Sequence, residues 1–213
     1  MEIADLLAGL PADVPGPTPG LLVPDLPPAD LASLFGERLR SVDGHDHGPL
    51  PGSAAVEIVV SILLDHGVDE YLGWDDPGLP GIHRRLQAAG IRRVEASVPE
   101  RGENRRAHQQ GYLTVQGGVT GADAGLAESG SIVLRSGPGR PRLSSLIPST
   151  HVAVLPVTRL VRSLAHFAAQ HPAAPGGISN LVFITGPSRT GDIEQELNLG
   201  VHGPRNLHVI LVN

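Results

Sequence analysis

Apolar positions along this chain recur in two ways: every three to four residues over long stretches, or nearly without interruption over short ones. The first pattern predicts helices and the second predicts buried strands. Leu31, Leu34, Phe35 and Leu39 share one face of a helix over residues 29–40. Residues 53–66 carry a polar stripe of only Glu57, Ser61 and Asp65, so that helix is buried over most of its circumference. Ser53 supplies a capping hydroxyl and Gly67 a stop. Further helices are predicted over 79–89, ended by Gly90, over 103–110, and over 158–170, with Leu160, Val161, Leu164, Ala165 and Ala168 facing inward. Residues 70–74, 91–96, 131–134, 151–157, 181–184 and 207–212 read as strands. Helices alternating with strands make this an α/β chain, a mostly parallel sheet flanked by helices.

The closing stretch has the most polar detail. Gly186-Pro187 stops the 181–184 strand, and Ser188 and Thr190 can each cap a following helix. Asp192, Glu194 and Glu196 then lie where the helix dipole favours negative charge. Gly200 ends that helix, and residues 202–205 turn into the strand at 207–212. Open α/β sheets bind ligands beyond the carboxyl ends of their strands. Ser188-Arg189-Thr190 is therefore the first place to expect a site, the alternative being a helix cap beside a surface arginine.

The connections add less. Residues 120–131 hold Gly121, Gly125 and Gly130, which let a ligand or another backbone come close. Thr120, Ser129 and Ser131 could line an anion cradle there, with Asp123 and Glu128 as its carboxylates; a tight strand-to-helix connection explains the same residues. His45-Asp46-His47 lies in a turn-rich stretch over 42–52 and is read as a solvated loop, because two histidines at i and i+2 hold a metal only with help from elsewhere. No metal site is assigned. Residues 1–27, rich in Pro and Gly, read as an arm lying on the domain or serving homo-oligomer contacts, ahead of a single α/β domain over 28–213.

Composition narrows the chemistry. All 16 basic residues are arginine, which excludes a lysine Schiff base and a Walker A loop and leaves guanidinium as the cationic clamp. There is no cysteine, so no thiolate nucleophile and no cluster held through protein thiolates; no other cofactor is specified. A net charge of −6 with 3% aromatic residues argues against nucleic acid as a partner. No apolar run reaches the ~18 residues of a membrane span. The acidic start Met1-Glu2-Ile3-Ala4-Asp5 differs from a secretory signal, so a cytoplasmic protein is expected.

Two blocks carry a resemblance. Residues 185–194 with 200–212 (Thr-Gly-Pro-Ser-Arg-Thr-Gly-Asp-Ile-Glu, then Gly-Val-His-Gly-Pro-Arg-Asn-Leu-His-Val-Ile-Leu-Val) and the glycine-rich block 118–134 resemble the lactate utilization protein C family, the LUD-domain proteins. A weaker third block spans 142–148 and 151–155. Gly191 stands where the family usually has Ala, and Ser129-Gly130-Ser131 replaces the commoner Thr-Gly-Thr. The resemblance implies the architecture shared by NagB-type deaminases, RpiA-type isomerases and CoA transferases. It also implies a component of the machinery that oxidises L-lactate to pyruvate, acting with iron–sulfur partner proteins on a small anionic metabolite. Under it, Arg189 or Arg205 holds the substrate carboxylate, His202 accepts the hydroxyl proton, and Ser188 or Thr190 orients the molecule. Two alternatives stay open: a stand-alone isomerase or transferase on a sugar phosphate or acyl-CoA using Glu128 or Glu194 as base or nucleophile, and a non-catalytic metabolite-sensing regulator.

Overall fold

The computed structural model describes residues 26–96, 111–171, 179–191, 197–199 and 203–213. Its main sheet is wholly parallel. Six strands, β1 (His45–Leu50), β2 (Glu70–Gly73), β3 (Arg92–Val94), β4 (Gly117–Gly121), β7 (Thr150–Pro156) and β12 (Asn206–Val212), run in the order β1-β12-β7-β4-β2-β3. A second, four-stranded sheet joins β8 (Leu160–Val161), β5 (Ala124–Leu126), β6 (Ser131–Ser136) and β9 (Asn180–Ile184) in that order, with β5–β6 and β6–β9 antiparallel. A short antiparallel pair, β10 (Arg189–Gly191) with β11 (Leu197–Leu199), stands apart from both.

Burial explains why the parallel strands are so uniformly apolar: both faces are covered. On one face, α2 (Gly52–Asp65) and α3 (Ile82–Ala88) press Val59, Leu63, Ile82 and Leu86 onto Val119, Val152, Val154 and Ile210. On the other, α1 (Pro28–Ser41) contributes Phe35 and Leu39, and the second sheet contributes Ile132 and Leu134, against Ala153, Leu155, Val209 and Leu211. The outer face of the second sheet carries α4 (Leu164–Gln170), whose Phe167 packs with Ala124, Leu126 and Val133.

Two glycines set the spacing. A Cβ on Gly118 would lie 2.1 Å from Ser144 O, so the 3₁₀ turn Arg142–Ser145 can lie flat on β4 only because that side chain is missing. Gly130 has φ +67°, and a Cβ there would lie 2.3 Å from Leu39 N, so the β5–β6 turn fits against α1.

The α/β class and the parallel sheet stand as predicted, but five local expectations are corrected. The stretch at 42–52 is not a loop: His45–Leu50 is the edge strand β1, tolerating Gly48 and Pro49 because one of its sides has no ladder partner. Residues 158–170 divide into a 3₁₀ turn, β8 and the shorter α4, because β8 pairs with β5 and the Ser163 hydroxyl starts the helix only at Leu164, accepting from His166 N. The glycine-rich 120–131 stretch leads from strand to strand rather than strand to helix. Finally, no helix starts at Ser188 or Thr190. The backbone of residues 189–191 is satisfied by residues 197–199 in a strand pair, where a helical cap was expected. β9 is an edge strand of the second sheet with Leu181 and Phe183 exposed, not the buried strand its apolar run predicts. Residues 1–25, the predicted helix at 103–110, and Glu194, Gly200 and His202 lie outside the described residues.

Candidate functional site

Where β4 and β7 end, the chain builds a basic cavity of about 380 Å³ lined by Asp123, Arg135, Arg140, Arg159, Thr158 and His171, among others. Asp123 follows β4 and Arg159 follows β7, so the cavity opens at the carboxyl ends of the parallel strands, where α/β sheets hold their ligands. Ala122 N bonds Val154 O and Asp123 N bonds Val133 O, which ties this corner to both sheets.

The Asp123 side chain is 4% exposed, and an isolated buried carboxylate is costly. Arg135 answers it twice, its backbone N–H donating to Oδ2 at 2.8 Å and its Nη2 to Oδ1 at 3.1 Å. Arg140 Nη1 donates to the same Oδ1 at 3.0 Å, and its guanidinium lies 4.9 Å from the centre of the Trp74 ring. Arg159 is held by a 2.9 Å bond from Nη1 to Ala122 O. His171 Nδ1 lies 3.0 Å from Phe167 O; the carbonyl can only accept, so Nδ1 carries a proton and in the neutral ring Nε2 is the acceptor. Three guanidiniums and one carboxylate thus converge on one cavity.

The residues singled out from sequence are dispersed. Thr120 is buried in β4, its Oγ1 2.8 Å from Nε2 of the fully buried His151. Glu128 accepts from Leu164 N at the start of α4. Ser129 and Ser131 do meet, at 2.8 Å, and Ser131 continues to Thr185 at 2.7 Å, a hydroxyl chain linking the glycine-rich block to the end of β9. Ser188 bonds through its N–H to Pro204 O, beside the start of β12, and the exposed Arg205 donates its N–H to Ser149 O. That corner lies at the amino-terminal end of β12, because β9 runs antiparallel to β6 in the second sheet instead of feeding the parallel one. Arg189 and Thr190 are placed by their backbone in β10. Sequence reasoning missed Arg135, Arg140, Arg159 and His171. The available signal was the absence of lysine, which makes every clustered arginine a candidate clamp.

A second constellation gathers on β1, where the sequence predicts a solvated loop. Parallel pairing of β1 with β12 sets His45 beside His208, their rings stacked with centroids 4.5 Å apart. His47 Nε2 lies 3.0 Å from His208 Nδ1, and His66 Nε2, at the end of α2, lies 3.1 Å from His208 Nε2. His47 and His66 address opposite nitrogens of His208, so the three rings do not converge on one point, and no metal-holding cluster is found among the described residues. Burial, then the neighbouring His45, His47 and His66, push the His208 pKa down to about 3.

The family model described as the LUD domain matches residues 51–212, and the chain belongs to that family. Its relatives include the "Lactate utilization protein C" of Geobacillus sp., 33% identical over 190 residues, covering 83% of this chain and 77% of that one. That of Shouchella clausii is 32% identical over 76% of this chain and 70% of that one. The Exiguobacterium sp. protein of the same name is 41% identical, but over 45% of this chain and only 44% of its own length. A solved DUF162 family protein from Deinococcus radiodurans is similar in fold, with a TM-score of 0.56 at 20% identity, over 89% of this chain and all of that one.

Proposed function

We propose that this chain serves a cytoplasmic L-lactate utilisation system by holding a small organic anion in the Asp123–Arg135–Arg140–Arg159 cavity, alongside iron–sulfur partner proteins. The observation that carries this reading is the convergence of three guanidiniums and one buried carboxylate on a single cavity at the carboxyl ends of β4 and β7. The names of the relatives supply the metabolic setting. Guanidinium is suited to bidentate recognition of a carboxylate. His171, with Nδ1–H given to Phe167 O, offers Nε2 to accept a hydrogen bond from a ligand hydroxyl. A chain without cysteine leaves thiolate-ligated clusters to other proteins, so electrons from lactate would leave through a partner.

Two measurements test this. Titration with L-lactate or pyruvate should quench or enhance the fluorescence of the single tryptophan, Trp74, which underlies Arg140. Purification from the native host should bring down cysteine-rich iron–sulfur proteins in an assembly that oxidises lactate. A protein that travels alone, in a strain still growing on lactate after its deletion, would refute the role.

A further inference from the structure

The charge lining the cavity is larger than a monocarboxylate such as lactate neutralises. Arg135, Arg140 and Arg159 bring three positive charges and Asp123 one negative, a formal excess of +2. Donor capacity says the same. Each guanidinium carries five N–H donors. Among the described residues, the side chains of Arg135, Arg140 and Arg159 each spend one of these, on Asp123, Asp123 and Ala122. A single carboxylate offers only about four acceptor sites. The ligand that matches this cavity carries two negative charges.

Taking the cavity to be the ligand site, we infer that it is built for a dianion: a small metabolite with two carboxylates, or with a phosphoryl group, in preference to a monocarboxylate. Arg140 is held over Trp74 and Arg159 is tied to the backbone, so much of the cost of ordering these long side chains is met before a ligand arrives. About 380 Å³ accommodates a short-chain acid with two such groups.

L-Lactate and L-malate are both 2-hydroxy acids, and malate adds a second carboxylate. Calorimetric titration of the full chain at about pH 7.5 and constant ionic strength is expected to show malate binding roughly tenfold or more tighter than lactate. Inorganic phosphate forms a separate arm. Phosphate outranking both acids would identify the phosphoryl source; malate outranking phosphate would identify the dicarboxylate. In Arg159→Gln the excess falls to +1, so the malate-to-lactate ratio should collapse towards unity, while Arg159→Lys, checked for folding by circular dichroism, should keep it. Equal affinity for lactate and malate in the native chain, with phosphate no tighter, overturns the dianion inference and leaves the cavity as a monoanion site. Failure of all three to bind overturns the cavity as the ligand site.

Discussion

Asp123 shows how one residue shapes a site. Its carboxylate is buried, yet it accepts from a backbone N–H and two guanidiniums, and in doing so fixes where Arg135 and Arg140 present their remaining donors. Asp123→Ala removes three hydrogen bonds at once and leaves two arginines crowded without their counter-charge. We expect a loss of about 2–4 kcal/mol in urea unfolding, discounted because Arg135 and Arg140 are 24% and 40% exposed. Asp123→Asn, which keeps the acceptor oxygen, should cost less than Asp123→Ala.

Two histidines act through burial. Desolvation holds His151 at about 4 and, with its histidine neighbours, His208 at about 3, against an ordinary value of 6.5. In the unfolded chain both protonate near the ordinary value, so between there and the folded values the unfolded state binds more protons. Their contribution to stability is complete above pH ~6.5 and is lost as pH falls, through about 4 for His151 and about 3 for His208. At up to ~1.4 kcal/mol per pH unit for each group, acidification to pH ~5 should cost about 2–4 kcal/mol in total. Thermal melts at successive pH values would show this slope, and it should flatten in His208→Gln.

Among the elements, β1 and the 3₁₀ turn at Arg142–Ser145 were the hardest to foresee. The sequence His45-Asp46-His47-Gly48-Pro49 has the composition of a loop, and only pairing with β12, more than 150 residues later, makes it a strand. The turn at 142–145 rests on a missing Cβ. Gly118→Ala would press a methyl into Ser144 O and should destabilise by roughly 1–3 kcal/mol or more, since backbone, not a flexible side chain, must yield. Gly52→Ala, where nothing lies within 4 Å, serves as the control and should be neutral or slightly stabilising. A chemical-denaturation series would separate the two. The long helices α1 and α2 were legible because each repeats its apolar positions over several turns. α4 was misjudged in length because the apolar Leu160 and Val161 fit a helical face as well as they fit β8.

On the scale of the whole molecule, one core binds the two sheets. Ile132 and Leu134 from the second sheet, Ala153, Leu155 and Val209 from the main one, and Phe35 and Leu39 from α1 form a single buried cluster that also contains Trp74. The sheets should therefore unfold together. Trp74 fluorescence and far-ultraviolet circular dichroism are expected to give coincident denaturation curves; a separate, earlier transition in the dichroism would show the second sheet to be an independent unit.

The amino-acid sequence alone decided the α/β class, the parallel core strands β7 and β12, and the exclusion of lysine and cysteine chemistry, because these rest on local apolar runs and on residues being absent. It also carried the family, through two blocks whose residues are contiguous or nearly so along the chain. Tertiary structure alone decided which polar residues share a site. Arg135, Arg140 and Arg159 come from a strand, a turn and a 3₁₀ segment, and only the closing of the second sheet onto the carboxyl ends of β4 and β7 gathers them with Asp123 around one cavity. Ser188 seemed the better candidate from sequence because it follows an apolar strand. The direction and partner of that strand are fixed by pairing between distant segments, and a local pattern of apolar residues does not record them.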